Sequence, residues 1–335
     1  MPTAADDTRL KPARPTINVA GTDEDALKQG LMELLIVETT AGLYRCEARF
    51  GNWGKVGAGM GFLYLDRQKL DFGKDLVIKL GDDPIFEGKI TAIEAHYLED
   101  AAPEITVLAE DRLQDLRMTR RTRTFEQASD ADVISQIASE HSLTPDVHVM
   151  GPTHEVIAQL NQSDLAFLRE RARAVDAEVW VEGSTLFAKP RSSRDGSAVK
   201  LQHGKELLEL SVIADLAEQR SRVTVSGWDV AAKEAIDEQA EKSAISAELG
   251  SDTWGPEILG RAFKDRDEVI VHRVPLTASE ARARAEAELR MRARRFVVGR
   301  GRAQANAELR VGKLVELAGI GGLFEGKYYL AEVRH

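Results

Sequence analysis

Few residues of the chain are spaced as catalytic or metal-binding residues usually are. The candidates for acid–base chemistry or metal binding are seven histidines: His96, His141, His148, His154, His203, His272 and His335. They form no His-Glu-x-x-His motif, the pattern that puts two zinc-binding imidazoles on one helix face. His148 and His154 are six residues apart around Gly151-Pro152, which suits a loop better than a metal site. The sequence therefore predicts no metal site.

The sequence also lacks the usual patterns of a nucleophile. Cys46 is the single cysteine, and it occupies an inward position of a predicted strand, so a buried thiol is favoured over a reactive one. No serine lies in a Gly-x-Ser-x-Gly turn, and nothing in the sequence pairs two carboxylates across a cleft. We therefore predict no catalytic residues, no cofactor-binding residues, no cofactor and no enzymatic activity.

A glycine-rich stretch from Gly51 to Gly61 invites comparison with phosphate-binding loops. It contains neither Gly-x-Gly-x-x-Gly nor Gly-x-x-x-x-Gly-Lys-Ser/Thr, and no helical pattern follows it. Phosphate-binding loops need a helix whose amide groups point at the anion. The stretch is therefore predicted to be a long flexible loop between two strands.

Two groups of arginines are the remaining candidates for binding. The groups comprise Arg112, Arg117, Arg120, Arg121 and Arg123, and then Arg282, Arg284, Arg290, Arg292, Arg294, Arg295, Arg300 and Arg302. In the second group, Arg282, Arg290 and Arg294 lie near one line on a predicted helix. We predict that these three face outward and dock an acidic protein partner, with charge governing the encounter. A solvated helix face without a partner is an equally supported alternative.

Length and charge limit the class of protein. The 335 residues suit two or three domains, and a hydrophobic fraction of 43% is enough for folded cores. A net charge of −10 argues against nucleic-acid binding. No apolar run approaches the ~20 residues of a membrane helix, and the first residues do not resemble a signal peptide. We expect a soluble protein that binds neither nucleic acid nor a membrane.

Hydrophobic periodicity divides the chain into four stretches. Residues 1–28 are a polar lead-in, and residues 29–118 alternate like strands, as in the inward set Tyr44, Cys46, Ala48 and Phe50. Residues 119–200 combine helical and strand patterns, and residues 201–335 return to strands around one long helix at 278–296. The fold class predicted is mainly β with α, in which two related antiparallel β-barrels flank a small α/β insert domain.

Local signals mark individual elements of the last two stretches. Ser129 to Asp132 is a capping box, Ser163 caps a second helix, and Gly183-Ser184 is a hairpin turn. Thr277 to Glu280 begins the long helix, with Ala281, Ala285 and Leu289 along one side. The acidic stretch from Ala231 to Leu249 fits either a helix or a mobile loop.

An internal repeat relates the two predicted barrels. When the chain is shifted by 238 residues, eight of the nineteen residues of 76–94 are identical to those of 314–332. The identities include the contiguous Phe86-Glu87-Gly88-Lys89, which falls on Phe324-Glu325-Gly326-Lys327, and Gly81, which falls on Gly319. Hairpins share turn chemistry, so chance is one explanation, but the contiguous match favours duplication.

Several segments together resemble the phage late control gene D family, which includes the VgrG-like hub proteins of contractile injection systems. The similar segments are Phe72–Leu76, Phe86–Ile90, Ala109–Leu113, Ser129–His141, Asn161–Leu168, Val225–Asp229, Pro275–Arg290 and Phe324–Tyr329. They span about residues 30–335, and their order and spacing are more specific than any one of them. The pattern is most similar to hubs of extracellular, phage-tail-like particles.

The resemblance implies that the two β-barrels are similar to tube proteins, and that the protein is a homotrimeric baseplate hub that joins a central spike to the inner tube. The partners implied are the inner tube protein, a spike with an oligonucleotide/oligosaccharide-binding barrel and a β-helix on the same or a separate chain, and baseplate adaptor and wedge proteins. The resemblance further implies assembly in the bacterial cytoplasm and a place within a phage-tail-like particle. His335 is expected to lie in the last strand of the second barrel.

The repeat is consistent with that implication. A tube is built from rings of six, whereas a β-helical spike has threefold symmetry. A trimer whose chain carries two similar barrels presents six similar barrels to the tube and threefold symmetry to the spike. Two alternatives remain open: a tail-hub enzyme that degrades peptidoglycan, and a two-barrel module that binds a ligand.

Overall fold

The largest element of the fold is an antiparallel sheet of eight strands. The structure, a computed structural model, describes residues 14–194, 196–230, 232–249, 254–271 and 277–335. The first part of the chain forms β1 (Thr16–Val19), β2 (Thr22–Asp23), α1 (Asp25–Gly30), β3 (Leu31–Thr39), β4 (Arg45–Gly51), β5 (Trp53–Val56), β6 (Gly59–Phe62), β7 (Asp75–Leu80), β8 (Asp83–His96) and β9 (Glu104–Glu110). The sheet has the order β2-β1-β7-β8-β9-β4-β3, and β23 (Glu332–Arg334) completes it beside β3.

Side-chain alternation builds the core of this sheet. Cys46, Ala48 and Phe50 on β4 are buried, as their spacing predicts, and so are Ile105 and Val107 on the neighbouring β9. The Cys46 thiol is a free, buried group, and burial raises its pKa above the usual value. The prediction of a buried thiol at position 46 is thus confirmed.

Residues of the predicted lead-in belong to this sheet. β1 pairs with β7 along Thr16 to Val19, and the Ile17 side chain is buried in the core of the sheet. The polar composition of residues 1–28 conceals this strand, because only Ile17 and Val19 need to be apolar for its inward face. Residues 1–13 lie outside the described part of the chain.

The glycine-rich stretch forms a hairpin, and its prediction as a long flexible loop is wrong. β5 and β6 pair from Trp53 opposite Phe62 to Val56 opposite Gly59. Gly57 in the connecting turn has a φ of 59°, a left-handed conformation that favours glycine. The many glycines suggested disorder, but alternate positions between them carry large side chains that stay on one face.

The α/β insert follows the predicted plan. It comprises β10 (Arg120–Ser129), α3 (Asp130–Glu140), β11 (Thr144–Val147), β12 (Thr153–Ser163), α4 (Asp164–Ala174), β13 (Ala177–Glu182) and β14 (Thr185–Pro190). The preceding helix α2 (Leu113–Met118) falls in the range predicted for the first barrel, but Leu113 and Leu116 pack in the core of the insert. Ser129 forms the predicted capping box with Asp132, and Ser163 caps α4. Both helices pack on a common apolar core with β13 and β14.

The last part of the chain forms three small sheets. Its elements are β15 (Val199–Gln202), β16 (Leu207–Ala214), β17 (Arg222–Asp229), β18 (Glu234–Ala240), α5 (Ser246–Leu249), α6 (Gly255–Phe263), β19 (Asp267–Ile270), α7 (Ala278–Ala293), β20 (Val297–Ala303), β21 (Leu314–Ala318) and β22 (Gly326–Tyr329). Strand orders are β15-β21-β22, β16-β20 and β18-β17-β19. The chain is mainly β with some helix, as predicted, while the arrangement as two barrels stays a prediction.

The acidic stretch from Ala231 to Leu249, for which the sequence allowed either a helix or a mobile loop, contains strand β18. Residues 234–240 form neither a helix nor a loop but a strand paired along β17, and a short helix, α5, follows. Ile236 and Ala240 point inward against α7 while acidic residues occupy positions between them. The charge density hid this alternation. Residues 250–253 and 272–276 lie outside the described part of the chain.

The C-terminal strand is placed differently from the prediction. β23 pairs with β3 in the first sheet, from Glu332 opposite Thr39 to Arg334 opposite Val37. The backbone of His335 continues the ladder through two hydrogen bonds with Ile36. The expectation that this segment closes a second barrel is therefore wrong, because the open edge of β3 binds it instead.

The two copies of the repeat form hairpins with different registers. Val77 pairs with Glu87 in the first, whereas Val315 pairs with Tyr328, three residues beyond the matching Glu325. Gly81 and Gly319 both have positive φ values, 66° and 74°. The copies thus share a turn residue but not the geometry of the strand that follows.

Candidate functional site: interaction surfaces and the Arg194 junction

The histidines lie apart from one another in the fold. His148 is exposed beside Asp146, while His154 on β12 lies against Asp130 at the start of α3, so the pair considered in the sequence is not brought together. Among the described residues, no group of three or more His, Cys, Asp or Glu side chains is placed to hold a metal ion. His272 lies outside that part of the chain. In the same residues no helix is long and apolar enough to span a membrane.

The arginines of α7 are mostly turned inward. Arg282 is exposed, with 68% of its side chain accessible, and lies 3.5 Å from Glu286. Arg290 donates to the carbonyl of Ala244 at 2.7 Å and pairs with Glu286 at 2.9 Å. The prediction that all three arginines face outward is therefore wrong for Arg290, and also for Arg294, the most enclosed of the three.

Arg294, at the end of α7, contacts both the insert and helix α5. Only 12% of its side chain is exposed, and its guanidinium binds both oxygens of Asp176, at 2.5 and 2.8 Å, as well as Glu248 on α5. Burial opposes the charge, but the hydrogen bonds with Glu248 and Asp176 raise the Arg294 pKa above its usual value. Helical spacing alone predicted an exposed line, because nothing in the sequence places Asp176 beside α7.

Arg194 lies where the first sheet, the insert and the last part of the chain meet. Its guanidinium donates to Glu178 at 2.9 Å, to the Tyr44 hydroxyl at 3.2 Å and to the Val311 carbonyl at 3.0 Å. It also lies over the Trp180 ring, with 3.9 Å between the guanidinium carbon and the ring centroid. The Arg194 side chain is nearly buried, so all of these contacts are shielded from water. We call this set the Arg194 junction.

Aromatic residues enclose the Arg194 junction. Arg191 stacks over the Tyr329 ring at 4.0 Å, and the Tyr329 hydroxyl donates to Glu178 at 2.5 Å. Burial raises the pKa of Tyr44 to about 12, with Arg194 opposing the shift. Cation–π and charge-assisted contacts gain strength when water is excluded. The junction therefore holds the three parts of the chain in a fixed arrangement.

A second interdomain contact buries a carboxylate. Glu38 on β3 is 1% exposed, pairs with Arg310 at 2.5 Å and accepts the amide N–H of Val311 at 3.0 Å. Arg310 also donates to the carbonyl of Pro84 at 2.9 Å. With β23 on the neighbouring edge, these bonds tie the C-terminal part of the chain to the first sheet.

The insert contains two buried aspartates, each at the start of a helix. Asp164 accepts from His141 at 2.9 Å, from Gln159 at 2.8 Å and from Arg121 at 3.1 Å. Burial opposes ionisation, but these donors lower the Asp164 pKa below its usual value. Two arginines of the first basic group are therefore structural: Arg121 and Arg123 both pair with carboxylates inside the insert.

The matching carboxylate at the start of α3 faces α7. Asp130 is bound by Arg171 at 2.5 Å and by His154 at 3.4 Å, and His154 lies 3.8 Å from Glu280 on α7. Hydrogen bonds from His154 and Arg171 outweigh burial and lower the Asp130 pKa. This arrangement is a further link between the insert and the last part of the chain.

One face of the β5–β6 hairpin is an exposed apolar surface. Trp53 and Phe62 are opposite one another in the hairpin and pack edge to face at 5.3 Å, and Tyr97 packs against Phe62 at 6.0 Å. Met60 and Lys55 form the next cross-strand pair on the same face. Sequence analysis missed this surface. The available signal was the alternation of large side chains between the glycines.

A second exposed surface lies on the β17–β18–β19 sheet. Ile236 and Ile270 of this sheet pack against α7 on one side. On the other side Trp228 is 50% exposed, and Val269 and Val271 are also exposed. Of the four tryptophans, Trp53 and Trp228 are about half exposed while Trp180 and Trp254 are buried. Exposed tryptophan is a marker of protein interfaces.

Comparison with known proteins gives the family. The Alg8 N-terminal domain family matches residues 62–335, most of the chain. The chain belongs to this family. No curated protein matches the sequence. The Alg8 N-terminal domain match begins at the end of the β5–β6 hairpin, so it includes four of the eight strands of the first sheet, the insert and the three small sheets.

Solved structures show the fold of this Alg8 N-terminal domain family member. The 43 kDa tail protein of prophage MuSo2 from Shewanella oneidensis has a TM-score of 0.69 at 14% identity and is covered over 93% of its length by 96% of this chain. A tail protein from Neisseria meningitidis MC58 gives 0.65 at 11% identity, with 96% and 90% covered. The E. coli c3393 protein, a type VI secretion system component, gives 0.56 at 11% identity, with 95% of this chain and 72% of that chain covered. The chain has the fold of phage tail proteins.

Proposed function

We propose that the protein is the structural hub of a baseplate in a phage-tail-like contractile injection system. The observation that carries the proposal is the fold match to a tail protein across 96% of this chain and 93% of the other. A match over both chains concerns the arrangement of all parts, not one shared module. The E. coli protein with the same fold is described as similar to T4 tail proteins gp27 and gp5.

The internal contacts suit a protein that bears load. A hub must keep its parts in fixed relation while a tube is driven through the baseplate. The Arg194 junction, the Glu38–Arg310 pair and β23 all join the first sheet to later parts of the chain. A folded protein is strongly destabilised when a buried charge loses its partner. We therefore expect these contacts to oppose the separation of one part of the chain from the others.

In the proposed assembly three copies form a ring that matches the inner tube to a threefold spike. The spike, whether on the same chain or another, the tube protein and the adaptor and wedge proteins are the proposed partners. The hub would assemble in the bacterial cytoplasm and become part of the particle. No cofactor is required for this role.

The proposal is tested by deleting the gene in the producing cell and examining particles by electron microscopy. We expect particles without a baseplate, or free tubes and sheaths, and recovery when the gene is supplied again. Normal, functional particles in the deletion strain would contradict the proposal. A clear zone on a peptidoglycan gel at the mass of the purified chain would favour the enzymatic alternative.

A further inference from the structure

Two exposed surfaces on different parts of the chain have complementary character. The hairpin surface consists of Trp53, Lys55, Met60, Phe62 and Tyr97. The sheet surface consists of Trp228, Asp237, Asp267, Val269 and Val271. Each is a partly apolar face with a half-exposed tryptophan. The hairpin surface has one cation, Lys55, whereas the sheet surface has two carboxylates, with Arg222 beside Asp267.

The hairpin surface needs a covering partner on physical grounds. β5 and β6 form a separate sheet of only two strands, and such a ribbon is marginally stable when nothing packs on it. Trp53 is 44% exposed, Phe62 45% and Met60 63%, so the apolar area is contiguous along both strands. Contiguous apolar area of this kind marks a protein-binding site.

The sheet surface is the side of the β17–β18–β19 sheet that faces away from α7. Ser226 and Trp228 are two residues apart on β17 and therefore point to the same face, which they share with their cross-strand partners Asp237 and Ala235. Val269 lies beside Thr224 on that face, because the next residue, Ile270, points to the packed side together with its partner Val225. The face thus presents tryptophan and valine together with a carboxylate.

The charges on the two surfaces indicate whether they bind each other or bind tube subunits. Lys55 is the single charged residue of the segment 51–62, so the hairpin surface is cationic. On the sheet surface Asp237 accepts a hydrogen bond from Ser226, and Asp267 lies 3.6 Å from Arg222. If both surfaces bound identical tube subunits in similar ways, they would be expected to carry the same charge. Arg222 offsets the charge of Asp267, so Asp237 is the carboxylate that makes the sheet surface complementary to Lys55, and this favours contact between the two surfaces.

We propose, on the basis of the hub function inferred above, that the hairpin surface of one copy packs on the sheet surface of a second copy. Such a contact is heterologous, since it joins two different patches, and it closes into a ring when each copy both gives and receives one contact. Three contacts complete the trimer. Lys55 lies near Asp237 of the adjacent copy, and Trp53 packs beside its Trp228.

The test measures the mass of the purified full chain over a concentration series by mass photometry and light scattering. We expect a wild-type trimer. Trp53→Ala and Trp228→Ala should each raise the trimer dissociation constant at least tenfold, because aromatic anchors dominate such interfaces. Met150→Ala, at a fully exposed apolar position elsewhere, is the matched control and should leave it unchanged.

Exchanging the charges of Lys55 and Asp237 tests whether these two residues are in contact between copies. Lys55→Glu and Asp237→Lys should each weaken the trimer, and the chain carrying both changes should recover most of the wild-type affinity. Lys205→Glu, in an exposed turn, controls for net charge. All variants should unfold within a few degrees of the wild type, since the changed side chains are exposed.

The outcomes separate this proposal from the hub function. A wild-type trimer that neither tryptophan change weakens would overturn the assignment of the surfaces and leave the hub proposal standing. Loss of trimer with Trp53→Ala alone, or no recovery on charge exchange, would overturn the contact with the sheet surface and mean that the hairpin surface packs elsewhere on the second copy. A wild-type chain that stays monomeric at every concentration would contradict both proposals.

Discussion

Arg294 and Asp176 form a two-pronged ion pair across 118 residues of sequence, with nitrogen–oxygen distances of 2.5 and 2.8 Å. Asp176 lies in the turn after α4, so the pair fastens the insert to the end of α7. Arg290 approaches the same carboxylate at 3.5 Å. A helix that looks like a free basic surface in the sequence is thus an internal connector.

Removing this pair should destabilise the chain. Arg294→Met leaves the carboxylates of Asp176 and Glu248 without their main cation, and we expect the free energy of unfolding to fall by about 3 kcal/mol. Arg282→Met, on the exposed part of the same helix, should change it by less than about 0.5 kcal/mol. Urea titration followed by circular dichroism measures both. Equal effects of the two changes would show that the connector contributes nothing.

Arg194 should control cooperativity between the parts of the chain. Arg194→Met keeps the apolar stem over Trp180 but removes the bonds to Glu178, Tyr44 and Val311, so we expect a loss of about 3 kcal/mol and separate unfolding steps in calorimetry. Arg45→Met, at an exposed position of β4, is the control. A single sharp transition in the Arg194 variant would mean that the remaining contacts join the parts on their own.

The pH dependence of stability should carry a signature of Asp111. Burial raises the pKa of Asp111 to about 7, although the amide N–H groups of Tyr44 and Leu113 oppose the shift. Because the folded-state value exceeds that of the unfolded chain, the folded state takes up a proton. The stability contributed by this group is complete below about pH 4 and is lost as the pH rises through about 7, at no more than ~1.4 kcal/mol per unit.

Asp111→Asn removes that titration. The free energy of unfolding of the variant should therefore rise relative to the wild type between pH 5 and pH 8, measured by urea titration at each pH. Asp66→Asn, at a surface turn, provides the comparison. Parallel pH profiles for the wild type and Asp111→Asn would show that the carboxyl is already ionised throughout this range.

Two glycines that the repeat matches should respond differently to alanine. A methyl group at Gly88 would collide with the backbone carbonyl of Glu110 and the Phe86 ring, whereas Gly326 has open space but a φ of 144°. We expect Gly88→Ala to cost about 3 kcal/mol because the backbone of β9 must move, and Gly326→Ala about 1 to 2 kcal/mol from backbone strain. Thermal unfolding of the two variants gives the order, and the reverse order would contradict the packing of Gly88.

Local signals predicted local structure well. Ser129 and Ser163 cap their helices, the alternation around Cys46 marks β4, and the small residues Ala281 and Ala285 of α7 are buried as expected. These features depend on neighbours within a few residues. The mainly β class and the tail-protein fold also agree with the sequence, the latter through a resemblance rather than through periodicity.

What the sequence could not predict depends on distant partners. Whether Arg294 faces water or Asp176 is decided by packing between domains, and the pairing of β23 with β3 is decided by which sheet edge is open. The β5–β6 hairpin was missed for another reason: its glycines resemble those of a loop, and only pairing of Trp53 with Phe62 reveals the strands. The predicted docking role of Arg282 stays a prediction.

The pairing of β23 with β3 has a consequence for how the protein is made. The two strands are about 300 residues apart, so the ribosome must synthesise nearly all of this sequence before the N-terminal sheet can fill its last edge. Until then β3 presents unsatisfied backbone groups that a neighbouring nascent chain on the same polysome can bind. The first sheet is thus complete only after residue 334 has been synthesised, and a partner that binds the complete sheet would not bind a truncated chain.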